Sequence, residues 1–381
     1  MPTDNAQEGP TTEAVMTALA TVIDPEIRRP ITEIGMVESI SIDGGQVNVG
    51  VLLTVAGCPM QNTIQRDVQA AVSAVAGVTG VTVTMGAMND EQRAELRRQL
   101  RPDERDIPFA APDSPTSVIL VASGKGGVGK SSVTVNLALS LAAQGKKVGV
   151  LDADIYGHSI PPMLGATETP TVVDEMIMPV PCQGLSVMSI GMLKESPDQV
   201  IAWRGPILDR ALQQFLADVY WGDLDFLLID LPPGTGDVAL SLGHKLPNAE
   251  VIVVTTPQQA AADVAERAGT MASMLEQKVI GVVENMSYFD TVCPHCGQTH
   301  RVDVFGSGGG QAVATALSRR LGYDVPLLAE IPMDPRVAST GDHGVPVVAM
   351  YPEEPVAKVI DSLATRLASR PKKRRLNITP V

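Results

Sequence analysis

Val118-Ile119-Leu120-Val121-Ala122-Ser123-Gly124-Lys125-Gly126-Gly127-Val128-Gly129-Lys130-Ser131 is the stretch on which the fold turns. A short, continuous apolar run ends in a glycine-rich turn that satisfies G-x-x-x-x-G-K-[ST]. The glycines let the backbone wrap a phosphate with its N–H groups inward, where a Cβ would clash. A helix over Ser131 to Ala143 then offers its N-terminal N–H groups and positive dipole end to the same anion. Lys130 is placed to neutralise β and γ phosphates, and the Ser131 hydroxyl to ligate Mg²⁺. Gly124, Lys125, Gly126, Gly127, Val128, Gly129 and Ser132 complete the cradle. The reading is a phosphate loop for ATP.

Outward from the loop, further apolar runs alternate with helices: Val148–Leu151, Phe226–Ile229, Val251–Thr255, Val279–Val283 and Leu327–Ile331. Continuous rather than alternating apolar runs suit strands buried on both faces, hence a mostly parallel sheet with helices on both sides. Such sheets bind ligands beyond the carboxyl ends of their strands. Asp152-Ala153-Asp154 follows one run and Asp230-Leu231-Pro232-Pro233-Gly234-Thr235-Gly236-Asp237 another. Carboxylates placed there can hold a magnesium water shell or orient an attacking water.

The first part of the chain has another texture. Residues 11–88 read as a small α+β domain: a helix, a strand at Gln46 to Leu53, a helix at Met60 to Val75 and a strand at Val81 to Met85. Residues 89–116, charged and then Pro/Asp-rich, read as a linker, 117–370 as the ATPase domain and 371–381 as a basic, solvated tail.

A formal net charge of −14 over 381 residues argues against non-specific nucleic-acid binding, which needs a basic face. No apolar run reaches the roughly 18 residues of a membrane span. Met1 to Pro10 carries neither a basic n-region nor an apolar h-region. The expectation is a cytoplasmic protein without nucleic-acid or membrane partners.

Four cysteines, Cys58, Cys182, Cys293 and Cys296, are too few for a disulfide framework in a chain this long. Cys293-Pro294-His295-Cys296-Gly297 can grip one face of a metal or cluster but cannot complete four-fold coordination. Within one chain, His295, His300, Cys182 and Cys58 are the other available ligands. A two-fold axis would instead join two copies of the pair into four sulfurs. Spacing alone leaves a cluster, a zinc knuckle using His300, a redox dithiol and a plain turn all open.

Several motifs occur in one order: Gly124–Ser131, Asp152-Ala153-Asp154-Ile155-Tyr156-Gly157, Arg204-Gly205-Pro206, Trp221-Gly222, Leu231–Asp237, Glu284-Asn285-Met286-Ser287 and Cys293-x-x-Cys296. With its second loop lysine, Lys125, the segment resembles the MinD/ParA/nitrogenase-iron-protein class. The whole set resembles the Mrp/ApbC family of ATP-dependent iron–sulfur cluster carriers. Asp24-Pro25-Glu26 and Cys58-Pro59 resemble the FeS assembly P domain that often precedes it.

The resemblance implies a homodimer holding a labile [4Fe–4S] cluster on Cys293 and Cys296 of both subunits. It implies transfer of that cluster to apoproteins and slow ATP hydrolysis. By the same resemblance Lys125 reaches the nucleotide of the partner subunit, Asp154 positions water, Asp230 serves magnesium with Asp152 in reserve, and Asn285 reads the adenine edge. His158 stands where the family commonly has Pro, and Cys58 follows Ala56-Gly57 where Pro-Ala is more usual. Two rivals stay open: a MinD/ParA-like positioning ATPase, and a regulatory ATPase with structural zinc at the cysteine pair.

Overall fold

The computed structural model describes the chain from Gly9 to Arg370, apart from residues 56, 101–106, 155–156, 175, 194–204, 235, 259–266, 268, 271 and 276. The tail 371–381 and Ile155, Tyr156, Arg204 and Thr235 of the quoted motifs lie outside the described residues.

The chain divides into two compact units. The first gathers Met1–Asp106 with Pro170–Pro179 and Asp218–Gly222. In its three-stranded sheet, β1 (Val37–Asp43) runs antiparallel to β2 (Gln46–Leu53), and β3 (Gly80–Ala87) lies parallel to β2 on the other side. Helix Gln61–Ser73 connects the two parallel strands and buries Ile64, Val68 and Val72, one residue per turn. Helix Thr12–Leu19 starts where the Thr11 hydroxyl accepts the Ala14 N–H at 3.2 Å. A short hairpin, β6 (Thr171–Val173) and β7 (Met176–Met178), adds Val173, Met176 and Met178 to this unit's core.

Three features of this unit differ from the sequence reading, the first being that residues 170–179 and 218–222, expected within the ATPase domain, belong here. Strand β1 was not expected, because Glu38, Ser39 and Ser41 break its apolar pattern. The stretch expected as linker opens with helix Asp90–Leu100, whose Leu96 and Leu100 join the same core. Its remaining residues are mostly charged, which hid the apolar stripe.

The second unit comprises Ile107–Thr169, Val180–Ala217 and Asp223–Val381. Eight strands form one sheet: β4 (Ser117–Ser123), β5 (Val148–Asp152), β8 (Val180–Cys182), β9 (Leu185–Ser189), β10 (Phe226–Asp230), β11 (Glu250–Thr255), β12 (Lys278–Glu284) and β15 (Leu327–Glu330). Their order is β15-β12-β11-β4-β10-β5-β9-β8, and every neighbouring pair is parallel except β8 with β9. All six expected runs are here, each buried along nearly its whole length or lying at the sheet edge. Central β4 lies between β10 and β11, so its glycine-rich extension leaves from the middle of the carboxyl edge.

Helix Lys130–Ala143 comes next along the chain and is buried almost all round. Helix Pro355–Ala368 packs beside it, with the Ser140 hydroxyl donating to Asp361 Oδ1 at 2.8 Å. A two-stranded hairpin, β13 (Phe289–Val292) and β14 (Thr299–Val302), projects after β12.

Candidate nucleotide site and metal-binding hairpin

The loop after β4 reaches its helix through two glycines in the left-handed region, Gly127 at φ +79° and Gly129 at φ +78°. Gly129 is additionally hemmed in: a Cβ there would stand 2.2 Å from Asn285 Nδ2. The loop lines a cavity of about 190 Å³ whose walls include Lys125, Gly126 through Ser132, and Asp154.

Beneath the loop, Asp230 is fully buried and takes three donors. Lys130 Nζ and the Ser131 hydroxyl each lie 2.6 Å from Oδ2, and the Thr134 hydroxyl donates to Oδ1 at 2.8 Å. Strand geometry sets this up: Asp230 ends β10 beside Val121 of β4, and Lys130, Ser131 and Thr134 lie in the opening turns of the helix leaving that strand. The Ser131 hydroxyl and Asp230 carboxylate converge as hard oxygen ligands, a donor set that fits Mg²⁺. A magnesium ion there would leave Lys130 available to phosphate.

Asp152 is the cross-strand neighbour of Asp230 and is also fully buried. Burial, and then the Asp230 charge, push its carboxyl up to about 7, against N–H groups of Asp154 and Ile160 and the Ser189 hydroxyl that favour the anion. Asp152 therefore braces the turn after β5, while Asp154 lines the cavity. Asp154 Oδ1 accepts the Gly157 N–H at 3.0 Å. His158 has φ +35°, which a proline ring cannot adopt.

Lys125 is half-buried and donates to Gln258 Oε1 at 3.1 Å. Asn285 Nδ2 donates to the Val128 carbonyl of the loop at 2.9 Å, which leaves its second N–H and its Oδ1 for other partners. Glu284 beside it is buried, and its carboxylate accepts from the Ser287 hydroxyl and from the Gly310 N–H at the start of helix Gly309–Leu321.

The four cysteines fall into two environments. Cys58 is buried 3.8 Å from Glu26 Oε2, and burial pushes its thiol up to about 12. Cys182 donates to the Leu164 carbonyl at 3.1 Å, and burial raises its pKa too. Both are held as thiols. Cys293 and Cys296 instead occupy the open turn between β13 and β14. Cys293 is held below the ordinary thiol range by the N–H groups of Cys296 and His295 and by the Cys296 side chain. Gly297, at φ +69°, lets that turn close, its N–H donating to the Cys293 carbonyl at 2.9 Å. His300 on β14 joins the two sulfurs, all three ligand atoms lying within 4.8 Å of one another.

Sequence reading missed Thr134, Ser189 and Gln258. Thr134 was reachable, standing one helical turn beyond Lys130 on the same face. Ser189 and Gln258 come from elements brought in by the sheet, with no local motif.

A phosphate loop on the central strand of a parallel sheet, with buried aspartates on adjoining strand ends, defines a P-loop NTPase. The chain matches the family model described as NUBPL iron-transfer P-loop NTPase over residues 114–368, and that described as iron-sulfur cluster assembly protein over 12–84. It is 55% identical over 367 residues to the iron-sulfur cluster carrier protein of Mycobacterium tuberculosis, covering 96% of this chain and 95% of that protein. The carrier protein of Deinococcus radiodurans is 42% identical over 369 residues, covering 97% and 98%. Among solved structures, a nucleotide-binding protein from Archaeoglobus fulgidus, in complex with ADP and with cobalt found, is 39% identical with a TM-score of 0.50, covering 67% of this chain and 91% of that one. The chain belongs to this iron-transfer P-loop NTPase family, the Mrp/ApbC family its motifs resemble, with an iron–sulfur cluster assembly domain ahead of the NTPase.

Proposed function

We propose that two copies of the chain carry an iron–sulfur cluster between them and deliver it to apoproteins, under control of ATP bound at the phosphate loop. The observation that carries the reading is the hairpin turn, where Cys293 and Cys296 share one open site and Cys293 is biased toward thiolate. Two thiolates per chain leave a cluster half-ligated, and a second chain related by a two-fold axis completes a Cys₄ set for [4Fe–4S]. A site so open suits cargo that must leave. The relatives named as cluster carriers support the same assignment.

In the nucleotide cycle, the loop N–H groups receive the β-phosphate and Lys130 turns from Asp230 to the γ-phosphate. Magnesium, held by Ser131 and Asp230, would offset charge across the phosphates. Asp154, at the cavity wall, orients the attacking water for slow hydrolysis, and Lys125 reaches the partner subunit's nucleotide. The cytoplasm, with neither membrane nor nucleic acid as partner, is the setting this implies; among the described residues no helix is long and apolar enough to cross a membrane.

The test is transfer. Protein reconstituted with iron and sulfide is incubated with an apo [4Fe–4S] dehydratase in the presence of a chelator. Recovery of dehydratase activity by the parent and none by Cys293→Ala/Cys296→Ala supports the reading; equal recovery by both contradicts it.

One observation favours a second reading. His300 lies close enough to Cys293 and Cys296 to make a three-ligand site within one chain, which suits a structural zinc in a regulatory ATPase.

A further inference from the structure

The residue that follows the strand leading to the cysteine hairpin reaches the phosphate loop with its side chain. Asn285 Nδ2 donates to the Val128 carbonyl at 2.9 Å, and its backbone N–H donates to the Thr255 carbonyl at 2.8 Å. The residue is buried, and no Cβ fits between its amide and Gly129. The Asn285 side chain thus links the loop to the end of the strand at this point.

The segment from Asn285 to the hairpin is short and held at every residue but one. Met286 has φ +54°, an uncommon conformation for a residue with a side chain and one that a rearrangement would relieve. The Ser287 N–H then donates to the Ile331 carbonyl at 2.9 Å, and the Tyr288 carbonyl accepts from the Met333 N–H at 2.6 Å. The Tyr288 ring lies under the Arg301 guanidinium of β14 at 3.8 Å, tying the chain entering β13 to the strand opposite. That hairpin carries Cys293 and Cys296 at its turn.

We infer that Asn285 is a positioning residue that couples phosphate-loop occupancy to the exposure of the cysteine pair. A phosphate entering the loop reorients its peptide units, and the Val128 carbonyl is one of them. The displacement passes through the Asn285 amide to Met286 and on to the hairpin. This rests on the ATP-binding reading proposed for the same loop and adds to it the route by which nucleotide state reaches the cargo site.

The test uses full-length, cluster-free, reduced protein. Iodoacetamide modification of Cys293 and Cys296 is followed peptide by peptide, with and without saturating ADP·Mg²⁺ or ATP·Mg²⁺, and nucleotide occupancy is measured separately with a fluorescent analogue. In the parent, bound nucleotide should change the modification rate by about threefold or more. In Asn285→Ala and in the near-isosteric Asn285→Asp, which cannot donate to Val128, the rates with and without bound nucleotide should converge. A merely structural loss would alter the rates but not erase their dependence on nucleotide. Variants that keep the parent's ratio, or a parent that binds nucleotide without any change in rate, overturn the inference alone. The parent measurement needs no variant, so misfolding of either substitution does not shield the idea. A parent that binds no nucleotide overturns the ATP reading itself and this inference with it.

Discussion

Lys130 Nζ lies 2.6 Å from Asp230 Oδ2, and both side chains are almost wholly buried. The pair links the phosphate loop to the strand that ends beneath it, so the cation proposed to serve phosphate has a buried partner in the absence of nucleotide. Burying two charges costs desolvation that the pair recovers through geometry and through the Ser131 and Thr134 hydroxyls.

Removing that cation has two expected consequences. Lys130→Ala should weaken ATP binding by about 10- to 100-fold, the worth of one charge-assisted hydrogen bond. It should also lower stability by about 3 kcal/mol, because Asp230 keeps only its hydroxyl donors in a buried site. Calorimetric titration and denaturant unfolding check the two, and unaltered ATP affinity would remove the phosphate-loop assignment.

Asp154 lines the cavity at the turn after β5, where its Oδ1 accepts the Gly157 N–H. Asp154→Asn should slow hydrolysis on the order of 100-fold, as expected for a lost general base or water-orienting group. ATP affinity should change far less. Steady-state phosphate release measured beside nucleotide binding decides it, and a parent-like hydrolysis rate takes Asp154 out of the scheme.

Stability should fall as pH rises from about 4 to 7. Asp152 has its folded pKa raised from 3.8 to about 7, so between those values the folded state binds more protons than the unfolded one. Its contribution is complete below pH 4 and lost through pH 7, on the order of 4 kcal/mol as an upper bound. Glu26, raised to about 7 chiefly by burial, adds a slope of the same sign in the first unit. Thermal midpoints across this range should flatten partly in Asp152→Asn and further when Glu26→Gln is added. A parent whose midpoint climbs steadily from pH 4 to 7 would contradict the assignment.

The thiols should divide as their surroundings do. With a limited dose of alkylating reagent, Cys293 and Cys296 should be modified well ahead of Cys58 and Cys182, which burial holds protonated. Peptide mapping reads this directly, and early modification of Cys58 would count against its buried placement.

The parallel sheet was legible because each of its central strands contains a continuous, non-alternating apolar run, as two covered faces require. Strand β9 escaped notice since Ser186 and Ser189 interrupt its run, and their hydroxyl-bearing side chains are nonetheless buried. Helix Asp90–Leu100 was hidden by charge, its core contact resting on Leu96 and Leu100. At the site, the loop, Asp152, Asp154 and Asp230 could be read as contiguous motifs at strand ends. What Asn285 holds could not, because its partner Val128 is distant in sequence and meets it only when β12 and β4 take their places in the sheet.

Whether Cys293 and Cys296 of two chains share a cluster is decided by composition. Protein expressed anaerobically and reconstituted is assayed for iron, acid-labile sulfide and zinc per pair of chains, beside Cys293→Ala/Cys296→Ala and His300→Ala. A bridging cluster requires about four irons and four sulfides per pair in the parent, retained in His300→Ala and lost in the double variant. Stoichiometric zinc without labile sulfide, released by His300→Ala, would contradict it and leave an ATPase whose hairpin holds a structural metal.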